Sequence, residues 1–269
     1  MDGFVEFLNG LSAGERSGLL FVFLFSAIVI ERLFPLLRID KPLQHIGVNL
    51  LFLLGIGVVN TLVAVLAFVI LRVHEWTFGL LHWLELSLWA DLLIAIVALD
   101  FVAQYAAHWM LHNFKWLWRF HVVHHSDTEV DASTGTRLHP GDFLFREVLV
   151  VVTIVALGLP IAGYFLYRLL TPFFSYATHA NIQLPVWIDQ PLSWLLVTPN
   201  MHKVHHHAEQ PWTNCNYGNI LSVWDRLFHT YAYAHPREIE YGLDVLDGSR
   251  DRELRYLFTL PFSNFKTDH

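Results

Sequence analysis

The sequence is poor in charge and almost free of cysteine. Only 15% of its 269 residues are charged, against about 25% in a typical soluble domain, so we expect a lipid bilayer to be the main solvent of the fold. The single cysteine, Cys215, excludes an internal disulfide and a cysteine-cluster metal site. The net charge of -7 is modest and no basic run occurs, which argues against nucleic acid as a partner. The N-terminus also lacks the basic region of a cleavable signal, so the first apolar run is interpreted as a retained span.

Long apolar runs are abundant by contrast. Hydrophobic residues make up 54% of the chain, and a helix needs about 20 of them in succession to cross a bilayer. The runs predict membrane spans over residues 18–37, 46–71 and 88–108. A fourth run, residues 148–176, is broken by Gly158-Leu159-Pro160. Each half is shorter than the about 30 Å hydrocarbon core requires, so we predict a re-entrant helical hairpin that returns to the side it left.

These runs indicate an all-α integral membrane fold with about three transmembrane helices, the hairpin and a histidine-rich metal-binding cap. We predict N-terminal spans and an interfacial segment in residues 1–90, a catalytic domain in residues 91–232 and a cytoplasmic C-terminal tail in residues 233–269. Basic residues concentrate in the loop after the first span and in the histidine-rich stretch, where Arg38 and Arg137 are examples. By the positive-inside rule this stretch faces the cytoplasm, and three spans then place the N-terminus outside.

Three groups of the seventeen histidines recur at helical spacing. On a helix, residues three and four apart share one face, so each group presents its imidazoles together. Imidazole binds iron, zinc and copper, and eight such ligands are more than one ion takes, which predicts either two metal ions or several histidines that bind none. The groups are His108 and His112, then His121, His124 and His125, then His202, His205 and His206.

The spacing between the first two groups predicts a turn. His121 follows His112 by nine positions, which is about 180° around an unbroken helix. The two histidines would then face opposite ways, so we expect the chain to turn near Asn113-Phe114-Lys115.

The third span carries a polar stripe. Asp100, Gln104, His108 and His112 recur every four residues on an otherwise apolar helix. Ionisable groups inside a membrane are costly and usually mark a site or a pathway. We therefore predict that Gln104 lies near the metal site as a ligand or outer support, and that Asp100 lies deeper on a substrate path.

The remaining histidines are interpreted as bystanders. Isolated histidines are usually satisfied core residues, and His207 lies off the face of its group. The isolated set is His45, His74, His82, His229, His235 and His269.

The histidine pattern and its flanking words resemble the fatty acid hydroxylase and sterol desaturase superfamily. The matching words are HWMLHNFKWLWRFHVVHHSD, DASTGTRLHP, THANIQLP, TPNMHKVHH and NYGNILSVWDRLFHTY, within about residues 95–232. The resemblance implies a non-haem di-iron centre, O2 activation and a lipid substrate. Zinc is able to replace the iron on overexpression. With no nicotinamide or flavin site visible, electrons are expected from a separate donor protein.

The resemblance also implies further histidines. His179 in THAN matches a family histidine and is carried over as a ninth ligand, although Ser175 stands where some branches have another histidine. His139 in RLHP matches a family word, and three roles stay open for it: ligand, second-shell residue, or cap of the hairpin's first helix.

Acidic residues follow the second histidine group. Ligand histidines commonly donate their second ring N–H to a carboxylate, and Asp127 and Asp131 are candidates for that role. A solvated acidic loop is the alternative. The histidines are expected to act as metal ligands, with no separate acid–base catalyst.

Two other functions fit part of the pattern. A membrane metal transporter or sensor would also use clustered histidines, but transporters tend to place ligands at mid-membrane on broken helices. A di-haem protein needs facing pairs of axial histidines, which the HH pairs do not supply. The sequence therefore favours an O2-dependent oxidoreductase that hydroxylates or desaturates a lipid C–H bond.

Overall fold

Helices are the regular secondary structure of the part of the chain that the structure, a computed structural model, describes, namely residues 2–73, 79–84 and 86–265. Within these ranges the only β-type pairings are two isolated bridges, so the expected all-α fold is confirmed. The first half contains α1 (Asp2–Gly10), α2 (Ala13–Leu33), α3 (Pro42–Val73), α4 (Leu88–Leu99), α5 (Ala107–Asn113) and α6 (Lys115–His125). The second half contains α7 (Pro140–Leu157), α8 (Ile161–His179), α9 (Val186–Leu192), α10 (Pro199–His205), α11 (Val223–Leu227) and α12 (Leu254–Thr259).

Three helical stretches are long and apolar enough to cross a membrane. They are Ala13–Leu33, Pro42–Leu66 and Leu88–Asn113, so the three spans predicted from the sequence are confirmed. The first begins at a capping box, in which the Ser12 hydroxyl accepts from the Glu15 N–H and the Glu15 carboxylate accepts from the Ser12 N–H. Such a box satisfies helix donors that lack an intrahelical partner.

The third span is not a regular α-helix. Between α4 and α5 lies a π-helical segment, Asp100–Ala106. Such wide turns inside α-helices are frequent at functional sites. Here the segment carries Gln104 immediately before the first histidine group.

The broken fourth apolar run forms the predicted hairpin. Helices α7 and α8 have 18 and 19 residues, or about 27 and 28 Å. At the turn Gly158 has φ 70°, a left-handed conformation that favours glycine. It lies against Gly79, where an added Cβ would come within 2.3 Å of the Gly158 Cα. The hairpin is longer than predicted, because polar residues outside the apolar run extend both helices.

The C-terminal residues pack back onto the helices. Leu257 and Leu260 are buried in one cluster with Val48 and Phe52 of α3 and Trp118 of α6. Burial of that apolar surface holds α6 and its histidines against the second span.

Candidate metal centre

Three short helical segments position the clustered histidines. Helix α5 ends at Asn113, Phe114 is extended, and α6 begins at Lys115, so the chain turns where the histidine spacing predicts. Helix α10 begins at Thr198, whose hydroxyl accepts from the Met201 N–H at 3.2 Å. The chain fold thereby brings α5, α6 and α10 to one end of the helical hairpin, beside His179 at the end of α8.

The nine histidines singled out in the sequence meet in two adjacent groups. In each group one ring nitrogen per residue lies within 4.8 Å of the others, and all nine side chains are buried. The first group is His108, His112, His121, His125 and His205; the second is His124, His179, His202 and His206.

In the first group two unprotonated ring nitrogens face each other. The Nδ1 of His108 lies 2.8 Å from the Tyr217 carbonyl, and the Nδ1 of His121 lies 2.5 Å from the Asp142 carboxylate. Both partners only accept, so each Nδ1 carries the proton and each Nε2 is bare. The two Nε2 atoms are 2.9 Å apart, and their lone pairs would repel unless a cation lay between them.

In the second group three histidines converge on one nitrogen. The Nδ1 of His179 donates to the Ser175 carbonyl at 2.6 Å, which leaves its Nε2 bare. The Nε2 atoms of His124, His202 and His206 lie 3.1, 3.1 and 3.0 Å from it. A single lone pair cannot accept three hydrogen bonds along one direction, so a proton arrangement does not satisfy this group.

Metal ions would satisfy both groups. Two nitrogens about 2.1 Å from one ion are about 3.0 to 3.4 Å apart at angles of about 90 to 109°, close to the separations observed here. Several buried ring nitrogens also have no hydrogen-bond partner, which is rare in proteins. Those that an ion in the first group would satisfy include His112 Nε2, His205 Nε2 and one nitrogen of His125.

Burial keeps the imidazoles neutral, which is the metal-binding form. It lowers the pKa of His205 to about 3, although the hydrogen bond to the Cys215 carbonyl acts in the opposite direction. It also lowers the pKa of His124 and His125 well below the usual range, and neighbouring histidines add to the effect. The site is therefore ready to bind a cation at neutral pH.

Outer partners fix several of these rings. The Nδ1 of His205 donates to the Cys215 carbonyl at 2.7 Å, and the Nδ1 of His112 lies 3.2 Å from the Asn214 side-chain oxygen. Such partners orient ligand histidines and hold their tautomer. Neither partner was predicted: a backbone carbonyl leaves no sequence signal, and Asn214 lies 102 positions from His112 in the chain.

Asp142 is the carboxylate that supports the histidines. Besides meeting His121, it accepts from Arg146 Nε at 2.9 Å. Arg146 approaches the Gln104 oxygen at 3.4 Å, and Gln104 donates to the Tyr167 hydroxyl at 2.5 Å. Asp142 was not among the predicted site residues, and the available signal was its place in HPGD, on the first turn of α7.

Asp127 and Asp131 serve another histidine. Their carboxylates lie 2.8 and 3.1 Å from the two ring nitrogens of buried His45, and Asp127 also accepts from Thr134 at 2.7 Å. In the described part of the chain neither carboxylate hydrogen-bonds to the nine histidines. The loop after α6 folds back onto α3, where Asp127 and Asp131 pair with His45. The prediction that they support the ligand histidines was wrong. His45 is a satisfied core residue, as expected.

The other histidines lie outside both groups. The Nδ1 of His139 accepts from the Gly141 N–H at 3.1 Å and caps α7, which is the third of the roles left open for it. His207 accepts from the Glu209 N–H. His229 and His235 are exposed, so the expectation that they are core residues was wrong. His74, His269 and the side chain of His82 lie outside the described residues.

Comparison with known proteins agrees with this geometry. A model of the fatty acid hydroxylase family matches residues 92–230, which contain all nine histidines. The chain belongs to the fatty acid hydroxylase family. The expected relation to the hydroxylase and desaturase superfamily is thereby confirmed.

Several relatives of the chain are named as hydroxylases or monooxygenases. Ornithine lipid hydroxylase OlsE of Rhizobium tropici is 31% identical over 52% of this chain and 41% of its own length. Alkylglycerol monooxygenase is 30% identical in Homo sapiens, over 55% of this chain and 32% of the relative, and 30% identical in Danio rerio, over 80% and 47%. The chain thus spans less than half the length of these relatives. No solved structure gives a significant match.

A cavity of about 190 Å³ adjoins the histidines of this hydroxylase-family chain. Its lining includes His108, His121 and His179 of the centre together with Leu20 of α2 and Leu53 and Ile56 of α3. Because these leucines belong to membrane spans, the cavity connects the centre with the apolar level of the bundle.

Two residues of the polar stripe, Asp100 and Gln104, lie in different surroundings although both belong to the π-helical segment. Gln104 lines the cavity, as expected. Asp100 does not: its carboxylate is fully buried and accepts from the Ile220 and Leu221 N–H groups at 3.1 Å. The prediction that Asp100 lies on a substrate path was wrong, since the carboxylate is fully engaged by a neighbouring loop.

Proposed function

We propose that the protein is a membrane-bound oxygenase that uses O2 and externally supplied electrons to hydroxylate or desaturate a lipid. The observation that carries the proposal is the meeting of two histidine groups beside a cavity whose lining also includes residues of the membrane spans. Two iron ions bound there would supply reductive activation of O2 and removal of hydrogen from an unactivated C–H bond. Zinc would occupy the same imidazole sites without redox chemistry.

The proposed ligands divide by group. The first ion would be held by the five histidines around His108, and the second by the four around His179. Asp142 holds His121 in one tautomer, and carbonyls hold His108, His179 and His205 in theirs. Fixed tautomers leave Nε2 directed at the ion, so the ligand set is organised before the metal binds.

The chain also shapes access to the centre. The apolar lining residues from α2 and α3 would accept a lipid chain, while polar lining residues such as Gln104 and Arg146 would contact the lipid's polar part. Burial of the histidines excludes bulk water from the reacting atoms. We propose that ornithine lipids and alkylglycerols be tested first, because relatives are named for acting on these lipids.

We further propose that the histidine end faces the cytoplasm and that the N-terminus lies outside. The supporting observation is that Arg38 and Lys41 lie between the first two spans, on the side where the positive-inside rule places the cytoplasm. A cytoplasmic centre would be open to an electron-donor protein. An impermeant thiol reagent tests the topology in a Cys215→Ser background: cysteine at Trp83 should react from outside, and reaction there only after permeabilisation would invert it.

The activity is tested with protein purified gently in lipid nanodiscs. Elemental analysis should find two metal ions per chain, with iron in the active form. Incubation with lipids, ¹⁸O2 and an electron-donor system should give a product carrying one ¹⁸O atom for hydroxylation, or lacking two hydrogens for desaturation. The matched controls are His202→Ala and the off-site His207→Ala. Well-folded, iron-loaded protein that alters no lipid in this assay would refute the proposal.

A further inference from the structure

The chain after Pro185 returns to the side of the third span. The sequence turns more polar there, which indicates a cytoplasmic location, but the fold places part of this region beside the third span. Asp100 lies 12 residues after Leu88 and 13 before Asn113, so it is near the middle of that span. Its carboxylate accepts from the Ile220 N–H at 3.1 Å and from the Trp224 indole at 2.9 Å. At about 1.5 Å per residue these partners lie some 18 Å from either end of the span.

Aromatic packing continues this contact along the span. The ring of Phe101 lies 4.9 Å from that of Trp224 and 5.7 Å from that of Phe228. Tyr105, one turn further, stacks on Phe228 at 5.4 Å. Helix α11 is therefore fixed against the side of the third span.

The segment after α9 is held at the same level. The Val197 N–H donates to the Ile220 carbonyl at 3.0 Å, and the Ser222 N–H donates to the Leu195 carbonyl at 3.1 Å. Because Ile220 is itself hydrogen-bonded to Asp100, the chain around Leu195 lies close to the level of the middle of the span. We call residues 186–195 and 224–228 together the lateral wedge.

The outer surface of the lateral wedge is apolar. The exposed fractions are 77% for Trp187, 66% for Trp194, 58% for Leu195, 63% for Leu227 and 48% for Phe228. Gln190 is the exposed polar residue of the wedge, and large exposed apolar surface of this kind marks an interaction site in soluble proteins. Tryptophan is moreover enriched at membrane interfaces.

The charges of the wedge are withdrawn from that surface. Asp189 is fully buried. The Arg226 guanidinium lies between the rings of Trp194 and Tyr231, at 4.0 and 3.8 Å, and donates to the Ser193 carbonyl at 3.0 Å. Shielding an arginine between rings suits an apolar medium better than water.

We propose that the lateral wedge is embedded in the bilayer and that lipid acyl chains of the leaflet on the histidine side cover its outer surface. Continuity with the third span selects lipid as the occupant. A soluble partner would have to enter the bilayer to reach residues beside Phe101. The wedge would thus add a monotopic anchor to the three spans and the hairpin, and would hold α10 and its histidines at the membrane.

Nitroxide depth measurements test the wedge directly. Single cysteines at Leu195 and Leu227, in a Cys215→Ser background, are spin-labelled in nanodiscs, and power saturation compares collisions with O2 and with a water-soluble nickel chelate. Both side chains are exposed, so labels should not disturb the core. The references are Leu54→Cys on the second span, 69% exposed, Trp109→Cys near the histidine end of the third span, and Glu253→Cys on the cap.

Both wedge labels should give O2-to-nickel ratios several-fold above that of Glu253→Cys and above that of Trp109→Cys. Ratios at or below that of Trp109→Cys, in protein that remains monodisperse, overturn the proposal. The measurement requires no enzymatic activity, so it is independent of the function proposed above.

Discussion

Asp142→Asn tests whether the supporting carboxylate controls the metal centre. Asp142 accepts from His121 Nδ1 at 2.5 Å with one oxygen and from Arg146 Nε at 2.9 Å with the other. Asparagine keeps the volume but offers only one oxygen, so its NH2 group must face either the His121 N–H or the Arg146 N–H. Either arrangement sets donor against donor. We expect His121 to lose its fixed tautomer, or Arg146 to lose its contact.

The expected loss of metal affinity follows from the position of Asp142 beside His121, one ligand of the first group. Loss of such an outer partner typically costs 10- to 100-fold in metal affinity, or about 1.4 to 2.7 kcal/mol. Only the group that contains His121 should weaken. The four histidines around His179 should bind as before, because none of them hydrogen-bonds to Asp142 among the described contacts.

Competitive chelator titration of the metal-loaded protein in nanodiscs provides the assay. Asp142→Asn should release one ion at about 10- to 100-fold lower chelator concentration than wild type, and the other ion at the wild-type concentration. Glu147→Gln is the matched control, since Glu147 is also buried on α7 but pairs with Arg168 rather than a histidine. Unchanged affinity for both ions in Asp142→Asn would refute the assigned role, and equal weakening of both ions would show a general loss of structure instead.

Three further substitutions extend the test. His179→Ala should remove one ion and abolish turnover, because three other histidines converge on His179 Nε2. The control His207→Ala should retain both ions. Two ions still found in His179→Ala by elemental analysis would contradict the ligand assignment. Gln104→Leu should keep the metals and the fold but lower turnover, since Tyr167 and Arg146 lose a partner in the cavity wall; full activity with the tested lipid would leave Gln104 a packing residue. His45→Ala leaves two buried carboxylates without their partner and should destabilise the protein by about 3–5 kcal/mol. The loss is measured as a lowered midpoint of thermal unfolding. His235→Ala, at an exposed residue, is the control and should show no change.

Local sequence patterns predicted much of the fold and of the site. Apolar runs determine membrane spans, because each span must satisfy its own backbone hydrogen bonds in lipid. Spacings of three and four residues determine which histidines share a helix face, as in His121, His124 and His125. The glycine and proline at residues 158–160 determine the hairpin turn, since neither continues a helix well. His179 was not derivable in this way and came from the family resemblance.

Only the tertiary structure decided how these pieces pair. The sequence places Asp127 and Asp131 next to the second histidine group, but the loop returns to α3 and gives them to His45. The carboxylate that meets His121 comes instead from α7, because the packing of α6 against that helix sets the contact.

The position of the segment after Pro185 was likewise decided by the tertiary structure. Composition determined that helices of this protein lie in lipid, since apolar side chains must leave water. It did not determine that a segment after Pro185 lies beside Asp100, because that placement depends on hydrogen bonds between residues 120 and more positions apart in the chain. Periodicity reports which face of one helix is apolar; which segment covers a buried carboxylate depends on the folded chain as a whole.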